Sequence, residues 1–149
     1  MLSEKEVTAK FNANKKKIIK IMGVKNTNNV QLDKMGKQLF GKRYQGTFSQ
    51  SYKPKGSPIN QYFIINTDLK GQPGTHWVAV VKNKNTYYIY DSFARTSRRL
   101  LPVFTRGRLI IDGDTSDAEQ FGDSQICGQL CLSWLQVVKD HGIRNALLI

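Results

Sequence analysis

Residues 75–91, THWVAVVKNKNTYYIYD, decide how this chain is read. Two runs rich in β-branched and aromatic residues, THWVAVVK and TYYIYD, flank Asn83, Lys84 and Asn85. That is the pattern of an antiparallel hairpin. A turn centred between Asn83 and Lys84 sets His76, opening the first strand, directly opposite Asp91, which closes the second. Directly paired residues have Cβ atoms about 4.5–5.5 Å apart. Both would share a face with Val78, Val80, Tyr87 and Ile89. A carboxylate holding an imidazole in one tautomer leaves the other ring nitrogen for a nucleophile. A histidine that merely hydrogen-bonds at a strand end fits the same residues.

Working outward, QYFIINT (61–67) is a compact buried strand, and DLKGQPG (68–74) turns the chain into the hairpin. Downstream, RLII (108–111) is a further short strand. Asp112, Asp114, Asp117, Glu119 and Asp123 then form an acidic loop without a basic residue. Ile126, Leu130, Trp134 and Val137/Val138 trace one face of a helix capped by Asp123 or Ser124 and ended by Gly142. Upstream, Ser3 caps a helix over 3–22 with Val7, Phe11, Ile18, Ile19 and Met22 at helical spacing, and Gly23 ends it. Residues 30–39 form a second short helix. Gly46, Pro54, Gly56 and Pro58 mark 41–58 as a loop.

Helices, then strands, then a helix make an α+β fold, with a small mixed or antiparallel sheet packed against helices. At 149 residues the chain has room for one core, so 1–149 is expected to be a single domain. Its 40% hydrophobic content is wrong for a disordered tail. No apolar run nears the roughly 18 residues of a membrane span. The opening MLSEKEVTAKF lacks the apolar stretch of a secretory signal, so membrane insertion and secretion are not expected.

The two cysteines, Cys127 and Cys131, stand four apart at the start of the last helix. Helical spacing gives poor disulfide geometry, and no other cysteine is available, which points to a reducing compartment. A thiol in the first helical turn faces the positive end of the macrodipole, which favours thiolate. Gly128 beside it leaves room for a substrate carbonyl. A small buried hydrophobe is the other reading of Cys127, and the expected one for Cys131. Cys127, Cys131 and His141 lack the paired spacing of zinc sites, so no metal is expected, and His141 caps helix carbonyls.

Lys and Arg number 23 against 11 Asp and Glu, a net charge of +12. Residues 1–60 carry 13 of these cations against 3 acids, while the rest carry 10 against 8. Lys15, Lys16, Lys17 and Lys20 form the densest cluster. They read as a solvated surface or as a sequence-independent track for nucleic acid.

The runs YFIINTDLKGQPGTHWVAVV, YYIYDSFA and EQFGDSQICGQLCLSWL together resemble the adenain family, the adenovirus-type maturation proteases of the clan that also processes ubiquitin-like modifiers. The resemblance covers residues 61–138, and the order His-Trp, acid, Gln, Cys-Gly is that clan's. It implies an adenain-like fold with the nucleophile at the start of a central helix. It also implies that His76 is the general base, Asp91 its orienting acid, Cys127 the nucleophile and Gln120 the oxyanion donor. Gln120 is chosen over Gln125 because a residue two before the nucleophile must fold back across the first turn. The acid is Asp here, as in most of the clan, where adenain itself has Glu.

The implied activity is a cysteine endopeptidase that cleaves capsid and core precursors of a double-stranded DNA virus at Gly-containing sites, Trp77 narrowing the cleft. The enzyme would work as a monomer in the virion and the reducing host interior. It would need no cofactor, although the resemblance implies stimulation by DNA. No cysteine lies between His76 and Cys127, so a disulfide-linked peptide activator is not expected. Two alternatives stay open: a protease for ubiquitin-like modifiers, such as a bacterial effector, and a nucleic-acid-binding protein without catalysis.

Overall fold

The N-terminal helix α1 (Glu4–Met22) starts where Ser3 and Glu6 satisfy each other's backbone N–H groups, at 3.1 and 3.0 Å. This reciprocal cap supplies partners for donors that a helix start leaves unpaired. Asn28 and Gln31 do the same for α2 (Asn29–Phe40), both at 2.9 Å. The structure, a computed structural model, describes residues 1–55, 60–67, 76–113, 118–120 and 125–149.

Among the described residues five strands follow in sheet order: β1 (Tyr44–Ser49), β2 (Gln61–Asn66), β3 (Trp77–Asn83), β4 (Thr86–Tyr90) and β5 (Leu109–Asp112). β2, β3 and β4 are antiparallel, and the edge strands β1 and β5 run parallel to their neighbours. The short helices α3 (Ser97–Leu100) and α4 (Pro102–Thr105) link β4 to β5, and α5 (Cys127–His141) and α6 (Ile143–Ala146) close the chain. The α+β expectation holds at that level: a mixed five-stranded sheet with helices on both sides.

Strand alternation sorts the core into two clusters. Tyr62, Ile64, Ala79, Val81 and Tyr90 face α1, α2 and α5, where Phe11, Leu32, Leu130 and Trp134 meet them. Phe63, Ile65, Val78, Val80 and Ile89 face Leu101 and Phe104 on the other side. Because both faces are covered, β2 is buried throughout, which is why it reads as an unbroken apolar run. α5 lies in the middle of the first cluster. Trp134 stacks on Tyr90 with centroids 5.4 Å apart, and its indole N–H donates to the Ala146 carbonyl at 3.0 Å.

Three expectations are corrected. The stretch 41–58 is not all loop, since residues 44–49 form β1. Its signal is weak because Gly46, at φ 139°, and a register irregularity after Tyr44 break the alternation. Its partner β2 lies beyond a crossover that local pattern cannot reveal. The hairpin turn sits one residue further along: Asn83 pairs with Thr86, and Lys84 takes the positive φ (55°) that such two-residue turns need. Continuing that ladder puts His76 opposite Phe93, not Asp91. The cap position of α5 is held by Ile126, without a side-chain hydrogen bond. Asp123 and Ser124, the 68–74 turn, Gly56, Pro58, Asp114 and Asp117 lie outside the described residues. Among those described, no helix is long and apolar enough to cross a membrane.

Candidate active site

The carboxyl ends of β2 and β4, the entry to β3 and the first turn of α5 meet at one end of the sheet. His76 stands just before β3, held there by its carbonyl, which accepts the Thr67 N–H at 3.0 Å. A turn moved by one residue shifts the pairing by two, and a two-residue shift keeps each side chain on its own face. His76 and Asp91 therefore remain neighbours although no longer directly paired. His76 Nε2 lies 2.5 Å from Asp91 Oδ1, both residues more than nine-tenths buried. The Phe93 ring occupies the position the ladder assigns it, 5.3 Å from the imidazole centroid.

Cys127 is the first residue of α5 and is buried beside this pair. Cys127 is near enough to act, with Asp91, on the charge of the imidazole. With Nε2 committed to Asp91, Nδ1 is the ring nitrogen left for a further partner. Burial opposes the imidazolium, but Asp91 and Cys127 together outweigh it and raise the His76 pKa. Burial likewise opposes the Asp91 carboxylate, yet His76 and Arg95 hold its pKa down to about 2.

Arg95 is a member of this group that reading the sequence missed. Its Nε donates to Asp91 Oδ2 at 3.0 Å, its backbone N–H donates to the same oxygen at 3.0 Å, and its guanidinium lies 4.9 Å from the Phe93 ring centroid. The only signal was position. Arg95 stands four residues after Asp91, but in a turn rather than a helix, where that spacing carries no general meaning.

Gln120 is 2% exposed and sits against the residue after Asp91: the Ser92 hydroxyl donates to its Oε1 at 2.5 Å. Gln125 is exposed. The choice between the two glutamines thus coincides with a difference in burial.

Trp77 is packed in the α5 core cluster, and its indole N–H donates to the Thr27 carbonyl at 3.0 Å. Gln129 Nε2 donates to the carbonyls of Gly23 and Lys25, both at 2.9 Å. Together they strap the α1–α2 connection across the start of α5. Gly128 meets that strap: a Cβ there would lie 2.1 Å from Thr27 Oγ1 and 3.0 Å from Leu32. The room expected for a substrate carbonyl on this side is filled by protein, so close packing requires the glycine.

Cys131 is fully buried, its thiol donating to the Trp77 carbonyl at 3.4 Å, and burial pushes its pKa far up. His141 ends α5, where its carbonyl accepts from Asn145 Nδ2 at 2.6 Å. Lys16, Lys17 and Lys20 are exposed on α1 and Lys15 is half-buried, outside the group around His76. Among the described residues no cluster of three His, Cys, Asp or Glu side chains could hold a metal.

The arrangement can take a thiol proton onto a buried imidazole and stabilise the resulting cation with a carboxylate. Comparison with protein-family models finds no match for this chain, and comparison with curated proteins finds none either.

Proposed function

We propose that the chain is a cysteine endopeptidase of the adenain type. The observation that carries this reading is a buried imidazole bonded to Asp91 and standing beside Cys127, the first residue of a helix. His76 takes the Cys127 proton, and the thiolate attacks the scissile carbonyl. Negative charge collects on the carbonyl oxygen, where the Cys127 backbone N–H and the Gln120 amide are the donors. His76 returns the proton to the leaving amine, and water then hydrolyses the thioester.

The substrates in this reading are structural precursors of a virus particle, cut at Gly-containing sites. Trp77 keeps its expected role in narrowing the cleft, its indole held by the bond to the Thr27 carbonyl. DNA would bind the lysines of α1 and raise the local concentration of enzyme near packaged substrates.

The test is cleavage of a capsid precursor and of Gly-containing peptides by wild type and Cys127→Ala. Cleavage by the first and none by the second is expected. Equal cleavage by both would reject the reading. A ubiquitin-like fusion as a parallel substrate separates virion maturation from modifier processing.

A further inference from the structure

The turn that closes β4 carries more than the acid of the pair. Ser92 is wholly buried and makes three bonds to the segment bearing Gln120. Its hydroxyl donates to Gln120 Oε1 at 2.5 Å, and its carbonyl accepts the N–H groups of Glu119 at 2.9 Å and Gln120 at 3.1 Å. Two residues earlier, the Tyr90 hydroxyl donates to the Glu119 carboxylate at 2.7 Å. Residues 90–92 thus hold the 119–120 segment through backbone and side chain together, while Asp91 between them holds His76.

The hydroxyl bond matters because a carboxamide is nearly symmetric in shape but not in chemistry. Its NH₂ can donate to a developing oxyanion, whereas its oxygen would repel one. A rotation of about 180° exchanges the two groups at little steric cost. The Ser92 hydroxyl, by donating to Oε1, ties the oxygen side of the amide to the β4 turn, and the exchanged orientation would require it to turn round and accept from NH₂.

We propose that Ser92 is a positioning residue for the oxyanion site: its hydroxyl holds Gln120 Oε1 and so presents Nε2 as the donor. The inference rests on the peptidase reading and names a residue that reading does not need. Asp91 and Ser92, adjacent in the chain, would then orient the base and the oxyanion donor respectively. That would explain why β4 ends in a tight turn, with the Ala94 N–H bonded to the Asp91 carbonyl at 2.9 Å.

The test is a double-mutant cycle on a Gly-containing peptide, with Ser92→Ala, Gln120→Ala and the pair. Ser92→Ala should lower kcat on the order of 10-fold with KM little changed, the loss expected when one buried hydrogen bond ceases to orient a donor. The double variant should be no slower than Gln120→Ala alone, because the hydroxyl acts through that amide. The iodoacetamide labelling rate of Cys127 should stay at the wild-type value in Ser92→Ala, since alkylation forms no oxyanion. Multiplicative losses, or slower labelling in step with slower turnover, would show that Ser92 supports the fold and not the amide. An unchanged kcat would overturn the proposal directly. Cleavage that survives Cys127→Ala would be a different failure, removing the peptidase reading and this inference with it.

Discussion

Arg95 and Asp91 share one carboxylate oxygen twice over, through the Arg95 backbone N–H and its Nε, both at 3.0 Å. Asp91 is therefore anchored on the side away from His76 before it bonds the imidazole. The two bonds fall on Oδ2, while Oδ1 meets His76 at 2.5 Å and also accepts the Phe93 N–H at 3.3 Å and Arg95 Nη2 at 3.5 Å. A carboxylate bonded on both oxygens cannot rotate away from the ring without breaking charge-assisted bonds.

Arg95→Ala should release one of these anchors and keep the other, the backbone N–H. The Asp91 pKa should rise towards the ordinary carboxylate range, followed by ¹³C NMR of its carboxyl carbon. In a peptide assay kcat should fall on the order of 10-fold, and Arg95→Lys should recover only part of it because the lysine lacks the fork. An unmoved Asp91 titration would show that the backbone N–H and His76 suffice.

Stability should depend on pH through the same carboxyl. Asp91 is held at about 2 against an ordinary 3.8, so the folded chain binds that proton less readily than the unfolded one. Its stabilising contribution, about 2 kcal/mol, is complete above about pH 4 and is lost as pH falls towards 2. His76, raised, acts in the opposite sense: its contribution is present at low pH and is lost as pH rises through its folded value. Urea unfolding of wild type and Asp91→Asn between about pH 2 and 6 should show the acid slope reduced in the variant.

Gly128→Ala should destabilise the protein by about 1–3 kcal/mol, since its methyl group would meet Thr27 and Leu32 inside a filled space. The readout is the thermal midpoint. A midpoint equal to wild type would mean that the strap from Gly23 to Thr27 moves aside freely.

Cys131→Ser should retain most activity and leave iodoacetamide labelling of Cys127 intact, because a hydroxyl can still donate to the Trp77 carbonyl. Equal loss from Cys131→Ser and Cys127→Ser would assign both thiols to structure.

Duplex DNA binding, in the reading offered for α1, should weaken steeply with salt. Replacing Lys15, Lys16, Lys17 and Lys20 by Gln should lower the slope of log K against log salt by up to about 0.9 for each phosphate no longer neutralised. An affinity indifferent to salt would exclude a phosphate track.

Much of this fold was legible locally. α1 with its Ser3 cap and Gly23 stop, the buried run of β2, the hairpin, β5 and the apolar face of α5 all follow from periodicity and punctuation. The physics there involves near neighbours: capping hydrogen bonds, side-chain alternation and turn conformation. The sequence also contained the chemical candidates, because His76, Asp91, Gln120 and Cys127 are recognised by type and order.

Tertiary structure decided what depends on partners distant in the chain. β1 exists because β2 offers it a parallel edge, which no property of residues 44–49 announces. The hairpin register turned on one residue of loop, and only the folded ladder shows Lys84 taking the positive φ. Gly128 has its meaning from Thr27, about a hundred residues earlier, and Gln120 from Ser92 across a segment of 28. Arg95 reaches Asp91 only because the chain turns back after β4. In each case the deciding energy is a close approach or a buried hydrogen bond between segments that sequence order keeps apart, and folding alone brings them together.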